Sequence, residues 1–305
     1  MINRKLYEKL MRKKKELDRL RPFPKAALRE LQKRLEIEFT YNSNAIEGNS
    51  LTLQETRLVL EHGITIKGKS LRDHFEAINH KEAILFVEDS LKEEISEALI
   101  KKLNGLVLDK IYEEEKGRYR TTNVMILGAI KSPPQAEKVP RMMNNFVEYA
   151  TKNSDNLNAI EMAAAIHYKL VEIHPFVDGN GRTARLLMNL FLMKHGFPIA
   201  IVLKNDRKKY YKTLKDADKG SPNPFVDFIG YCVNRSLNIY LSSFKKGMEY
   251  ISIKESAKGT PYTQEYLSLL ARKGRLDAIK LGRNWVTTKK AVQDYIRTAR
   301  NRKIR

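Results

Sequence analysis

The chain is poor in cysteine, tryptophan, glycine, proline and acid, and each scarcity excludes something. One cysteine among 305 residues, Cys232, rules out an internal disulfide and points to a reducing compartment. Fifteen glycines and ten prolines exclude a collagen-like chain, and there is no internal repeat or Gly/Ser linker. Long apolar runs are also missing. The stretch LLMNLFLM is interrupted by Asn189 and falls far short of a membrane span. Residues 1–20 carry no apolar core of a signal peptide, so the expectation is a soluble, cytoplasmic protein with no membrane partner. With 42% apolar and 30% charged residues the chain is not disordered, and its length predicts about two domains with ample core.

The shortage of acid is local. Lys and Arg number 57 against 36 Asp and Glu, a net charge of +21. Residues 1–34 carry +9, residues 251–305 carry +10, and the 216 residues between them only +2. Two basic ends flanking a nearly neutral body fit either a polyanionic partner or a solubilising surface.

Helical spacing dominates the pattern. Leu6, Leu10, Leu17 and Leu20 mark an amphipathic helix over 4–20, and a second over 25–47 is ended by Gly48. Further helices are predicted near 52–62, 70–90, 95–113, 140–152, 158–173, 182–196, 206–218 and 222–246. The exception is 117–140, where Thr, Val and Ile before Pro-Pro predict a short β-hairpin or extended flap. Three domains follow: a basic N-terminal segment 1–34, a helical body 35–248 and a compact module 249–305.

Chemistry concentrates in His174-Pro-Phe-Val-Asp-Gly-Asn-Gly-Arg-Thr-Ala-Arg185, where one helix runs into a Gly-rich loop that opens another. Gly179 and Gly181 permit close backbone approach, and the N–H groups at a helix start favour an anion. Arg182 and Arg185, one turn apart, suit phosphate oxygens. Asp178 is a hard oxygen ligand suited to Mg²⁺, and His174 is the side chain able to take a proton near neutral pH. The bland alternative is an ordinary helix corner with a capped histidine and solvated arginines.

This string resembles the signature of the Fic family, His-x-Phe-x-Asp/Glu-Gly-Asn-Gly-Arg-x-x-Arg, at all eight defining positions. The resemblance extends to 117–128, similar to the family's target-aligning flap with Val124, Met125 and Ile126, and to 210–220, similar to its base-binding segment with Tyr211. It implies an all-α Fic bundle with a short β-hairpin flap, and transfer of AMP from ATP to a Ser, Thr or Tyr hydroxyl of a protein target. His174 would be the base and Asp178 the Mg²⁺ ligand. Gly179, Asn180, Gly181, Arg182, Arg185 and Tyr211 would bind nucleotide, and Phe176 would pack in the core. Asp218 stands where close relatives carry Asn, which loosens the expectation of strict ATP preference.

Ser43-Asn-Ala-Ile-Glu47-Gly48 resembles the family's inhibitory motif. Glu47 at a helix end needs a cation or water, and the resemblance implies pairing with Arg185 and a weakly active resting enzyme. The same resemblance leaves open the reverse reaction, removal of AMP, and a transcription regulator with a nucleotide-sensing body. The module after Tyr250 resembles excisionase and MerR-like winged helix-turn-helix units. A duplex DNA partner is then expected, with Thr263, Gln264 and Ser268 near base edges and Arg272, Arg275, Lys280 and Arg283 on phosphates. A protein-docking wing is the alternative. For the basic N-terminal helix, homodimer formation and nucleic-acid contact both stand open.

Overall fold

The computed structural model describes residues 1–125, 130–153, 155–245, 249–281 and 284–303. These form thirteen α-helices and three short strands. The helices are α1 (Arg4–Asp18), α2 (Lys25–Ile46), α3 (Leu53–His62), α4 (Leu71–Asp89), α5 (Glu97–Val107), α6 (Val139–Lys152), α7 (Ala159–Ile173), α8 (Asn180–Lys194), α9 (Arg207–Asp218), α10 (Asn223–Phe244), α11 (Ile253–Ala257), α12 (Gln264–Arg272) and α13 (Lys289–Lys303). The strands are β1 (Ile251–Ser252), β2 (Ala278–Leu281) and β3 (Asn284–Thr287).

Helix starts follow from capping chemistry. Thr52, Ser70 and Asn158 each cap a helix with Glu55, Asp73 and Glu161 reaching back, so two otherwise unpaired N–H groups are satisfied at each start. One expected helix is shorter than its pattern: α5 stops at Val107 instead of 113, and the chain turns through Lys110 at φ 57°.

The chain packs as two units. The first comprises Met1–Arg4 and Gln32–Gly230, with α7 and α8 packed side by side at its centre and α4 and α5 against α8. Helix α8 is buried from Thr183 to Leu192, its polar residues Thr183, Arg185 and Asn189 included. The α7–α8 connection is therefore gripped from several sides.

The second unit comprises Lys5–Leu31 and Tyr231–Arg305. Residues 5–31 thus pack with the C-terminal residues, a grouping that the charge pattern along the chain did not predict. The three strands form an antiparallel sheet in the order β1-β3-β2, with Ile251 opposite Thr287 and Lys280 opposite Trp285. Ile253, Leu267, Leu270, Leu276 and Val292 form the core under it, and Trp285 packs against them. The elements follow in the order β1, α11, α12, β2, β3 and α13.

The hairpin expected in 117–140 is absent among its described residues: 118–125 and 130–135 contain no strand. An isolated two-stranded ribbon has too little apolar face to hold itself. Ile126 lies outside the described residues. No helix among them is long and apolar enough to cross a membrane.

Candidate active site

Helix α7 ends at His174, which takes the left-handed conformation at φ 51° and returns its N–H to the Leu170 carbonyl. The chain thereby reverses into the loop 175–179. Phe176, fully buried, anchors the loop, and its backbone N–H and carbonyl are both bound by the Asn180 side chain at 2.9 and 2.8 Å. Asn180 therefore supports the loop with its side-chain amide. Gly179 at φ 77° is the N-cap of α8. A β-carbon there would meet Asn104 Nδ2 at 3.0 Å and Val107 at 3.2 Å. No side chain caps α8, so the first-turn N–H groups remain an anion seat.

His174 is partly buried. Its Nδ1–H donates to the Val171 carbonyl at 3.3 Å, which leaves Nε2 as the basic nitrogen. Burial lowers its pKa below the ordinary 6.5, partly offset by the Val171 carbonyl. The ring is consequently neutral at pH 7, as a base must be.

Both arginines are buried, and each faces an acid. Arg185 Nη2 lies 2.8 Å from Glu47 Oε1; its Nε donates to Ser43 Oγ and Nη2 to the Ser43 carbonyl, each at 2.9 Å. Nη1 donates to Tyr210 Oη at 3.4 Å, and that hydroxyl also meets His167 Nε2 at 3.0 Å. Burial alone would lower the Arg185 pKa, but Glu47 and Tyr210 outweigh it and raise it. Tyr211 donates its hydroxyl to Glu47 Oε2 at 3.4 Å and lies under the Arg207 guanidinium. The residues singled out around 43–47 and at 185 and 211 thus meet in one cluster. A β-carbon on Gly181 would fall 2.4 Å from Glu47 Oε1. The Glu47 carboxylate rests directly above that glycine.

Arg182 stands 3.2 Å from Glu76 Oε1 through Nη1 and 3.5 Å from Asp178 Oδ1 through Nη2. Its Nε and Nη1 nonetheless find no aligned hydrogen-bond acceptor among the described residues. Nε is thus without an acceptor among them, and Nη1 is held by charge to Glu76 without an aligned hydrogen bond. Asp178 accepts from Gly179 N at 2.6 Å and from Arg72 Nη2 at 2.8 Å.

Residues 94–192 match the model of the Fic/DOC family. The chain is 42% identical over 207 residues to protein adenylyltransferase Fic of Nematostella vectensis, a match covering 67% of this chain and 48% of that one. It also resembles the structure of Fic-1 from C. elegans, with a TM-score of 0.73 and 36% identity, over 79% of this chain and 72% of that one. A Fic domain containing signaling protein from Bacteroides thetaiotaomicron matches at TM-score 0.71 and 31% identity, over 78% of this chain and 96% of that one. The chain belongs to the Fic/DOC family. It spans about half the length of the curated relatives it matches.

Several residues that hold this Fic loop escaped sequence reasoning. Asn104, buried in α5, donates to the Asp178 carbonyl at 3.0 Å and accepts from Gly117 N at 3.0 Å. Its signal was an amide on an apolar face, LIKKLNGLV. Arg72, Glu76 and Arg120 carried no such signal: the i,i+4 pair of Arg72 with Glu76 looks like any helix-surface pair, and the contacts to Asp178, Arg182 and the His174 carbonyl lie far away in sequence.

Among the described residues no three His, Cys, Asp or Glu converge on a metal. The Fic loop does offer one carboxylate, Asp178, at the mouth of an anion seat. That donor set fits Mg²⁺ carried in on phosphate oxygens, which needs only one or two protein carboxylates. In the second unit, Thr263 caps α12 through its hydroxyl, while Gln264, Arg272, Arg275 and Lys280 are exposed and Ser268 is half-buried. Arg283 lies outside the described residues. Val124 is half-buried, and Met125 is 86% exposed.

Proposed function

We propose that the chain is an autoinhibited protein adenylyltransferase, moving AMP from ATP to a Ser, Thr or Tyr hydroxyl of a protein and releasing pyrophosphate. The observation that carries this reading is the seat at Gly181. Buried arginines and the uncapped start of α8 surround it, and a carboxylate of the same chain already rests over it. The relatives' name, protein adenylyltransferase, supports the same reaction.

The neutral His174 Nε2 would take the proton of the incoming hydroxyl, a contribution of about 10²–10⁴ in rate. The hydroxyl oxygen bonds the α-phosphorus as the bond to the β-phosphate oxygen breaks. Gly179, Gly181 and the N–H groups at the start of α8 stabilise the charge developing on the α-phosphate. Arg182 would take outer phosphate oxygens, its Nε having no acceptor among the described residues, and Tyr211 would border the base. Mg²⁺, held by Asp178 and phosphate oxygens, would supply charge neutralisation as pyrophosphate leaves. Glu47, with Ser43 beside it, would hold Arg185 away from the γ-phosphate, so bound ATP lies unproductively. Val124 and Met125 would align the target chain.

Labelled ATP with Mg²⁺ tests this reading. Glu47→Gly should raise labelling of the chain itself at least tenfold, and His174→Ala in that background should abolish it. A Glu47→Gly chain as silent as its parent would overturn autoinhibition, and an active His174→Ala chain would overturn the assignment of the base.

Association with duplex DNA belongs to the same proposal. Support comes from the +10 charge of 251–305, the helix–helix–wing order, and the exposure of Gln264, Arg272, Arg275 and Lys280. Affinity in a gel shift should fall with salt at a log–log slope of about 0.9 per phosphate neutralised. Absence of salt-sensitive binding would make the module a protein-docking wing.

A further inference from the structure

Arg120 is 2% exposed and has no acid beside it among the described residues. Its guanidinium is instead divided among backbone carbonyls of three segments. Nε donates to the His174 carbonyl at 2.8 Å, Nη1 to the Thr122 carbonyl at 3.0 Å and Nη2 to the Pro134 carbonyl. The Arg120 backbone N–H donates to the Pro175 carbonyl at 2.9 Å. The preceding side chain, Tyr119, packs its ring on Phe176 at 5.6 Å. Thr122 and Pro134 bracket the segment that carries Val124 and Met125, and His174 opens the loop that carries the base.

A buried, unpaired cation is costly to retain for packing alone. Only a planar fork with several fixed donors reaches three carbonyls at once; an ammonium, a compact point charge, cannot span them. We propose that Arg120 is a positioning residue that ties both feet of the target-aligning segment to the backbone of His174, and so fixes where an incoming hydroxyl meets the base. The inference rests on the proposed transferase reading. The phosphate seat has supports of its own beside Arg120: Asn180 bonds both backbone groups of Phe176, and Asn104 bonds the Asp178 carbonyl.

Arg120→Lys and Arg120→Met in the full chain test the tether, each made alone and with Glu47→Gly. With labelled ATP, read as label on the chain itself, the maximal rate should fall 30-fold or more while the half-saturating ATP concentration stays within twofold. Lysine should not rescue the rate. A measurement independent of catalysis is tryptic cutting after Lys131, an exposed residue inside the tethered segment. Cutting there should accelerate at least tenfold in Arg120→Met, with other sites and the melting temperature little changed. Parental cutting at Lys131 overturns the proposal. So does uniform acceleration at all sites, or a loss of ATP affinity in step with rate, since either makes Arg120 a general brace. If Glu47→Gly stays as silent as its parent but the Lys131 result holds, the reading as an autoinhibited transferase fails and the tether stands.

Discussion

Glu47 and Gly181 make opposite demands on one small volume. A β-carbon at 181 overlaps the carboxylate, which is the end of a flexible chain and can swing away. On the proposed reading the same β-carbon would also fill the space that a phosphate needs. Gly181→Ala should therefore weaken ATP binding by tenfold or more even with Glu47→Gly, as calorimetry would show; unchanged affinity would mean the phosphate lies elsewhere. His174 gives a pH prediction. Its pKa is lowered from 6.5 by burial, so the imidazole is already neutral at pH 7. The transfer rate of Glu47→Gly should stay level from about pH 8 to 7 and fall only below 6.5 as the ring gains its proton. An acid limb centred above 7 would contradict that environment.

Helix boundaries were legible because caps are local. Asn158 and Glu161 close the start of α7 with bonds between residues three apart, so no distant partner is needed. Asn158→Ala should cost about 1 kcal/mol, a fall of about 2–4 °C in melting temperature for a domain of this size. The overlong expectation for α5, and the strands of the hairpin expected as one alternative at 117–140 and absent among its described residues, differ from the structure for the opposite reason. Both segments end or run where distant groups hold them: Gly117 on Asn104, and Arg120 on the loop after α7. Strand propensity in Thr, Val and Ile yields no sheet without a third partner.

The two compact units were not divided where the charge changes. In the second unit Lys9 and Lys13 reach Asp277 at 2.6 and 2.7 Å, and Lys13 also donates to Asn234 at 2.7 Å and to Asn238. Burial pushes the Asp277 carboxyl up, but the two lysines outweigh it and hold its pKa far below the ordinary 3.8. The stability it contributes is therefore present above about pH 4 and is lost as the pH falls through the depressed value. Asp277→Asn leaves Lys13 buried without its counter-charge and should cost about 2–3 kcal/mol at pH 7. The penalty should shrink towards pH 2, which denaturant melts across pH would measure. A pH-independent penalty would mean the pair is structural packing alone.

Sequence alone determined the helical class, the spans of most helices, the phosphate-type loop from His174 to Arg185, and Glu47 as a carboxylate in need of a cation. These rest on periodicity, capping and short motifs, whose physics acts over a few residues. Tertiary structure brought Glu47 to Arg185, the cation the resemblance had implied, and decided that Arg182 pairs with Glu76 and that Asn180 turns its amide inward to Phe176. It also decided that Asn104 and Arg120, distant in sequence, hold the loop. A buried polar group is fixed by whatever partner the fold brings within about 3 Å, and that partner is set by packing between elements, which no local pattern encodes.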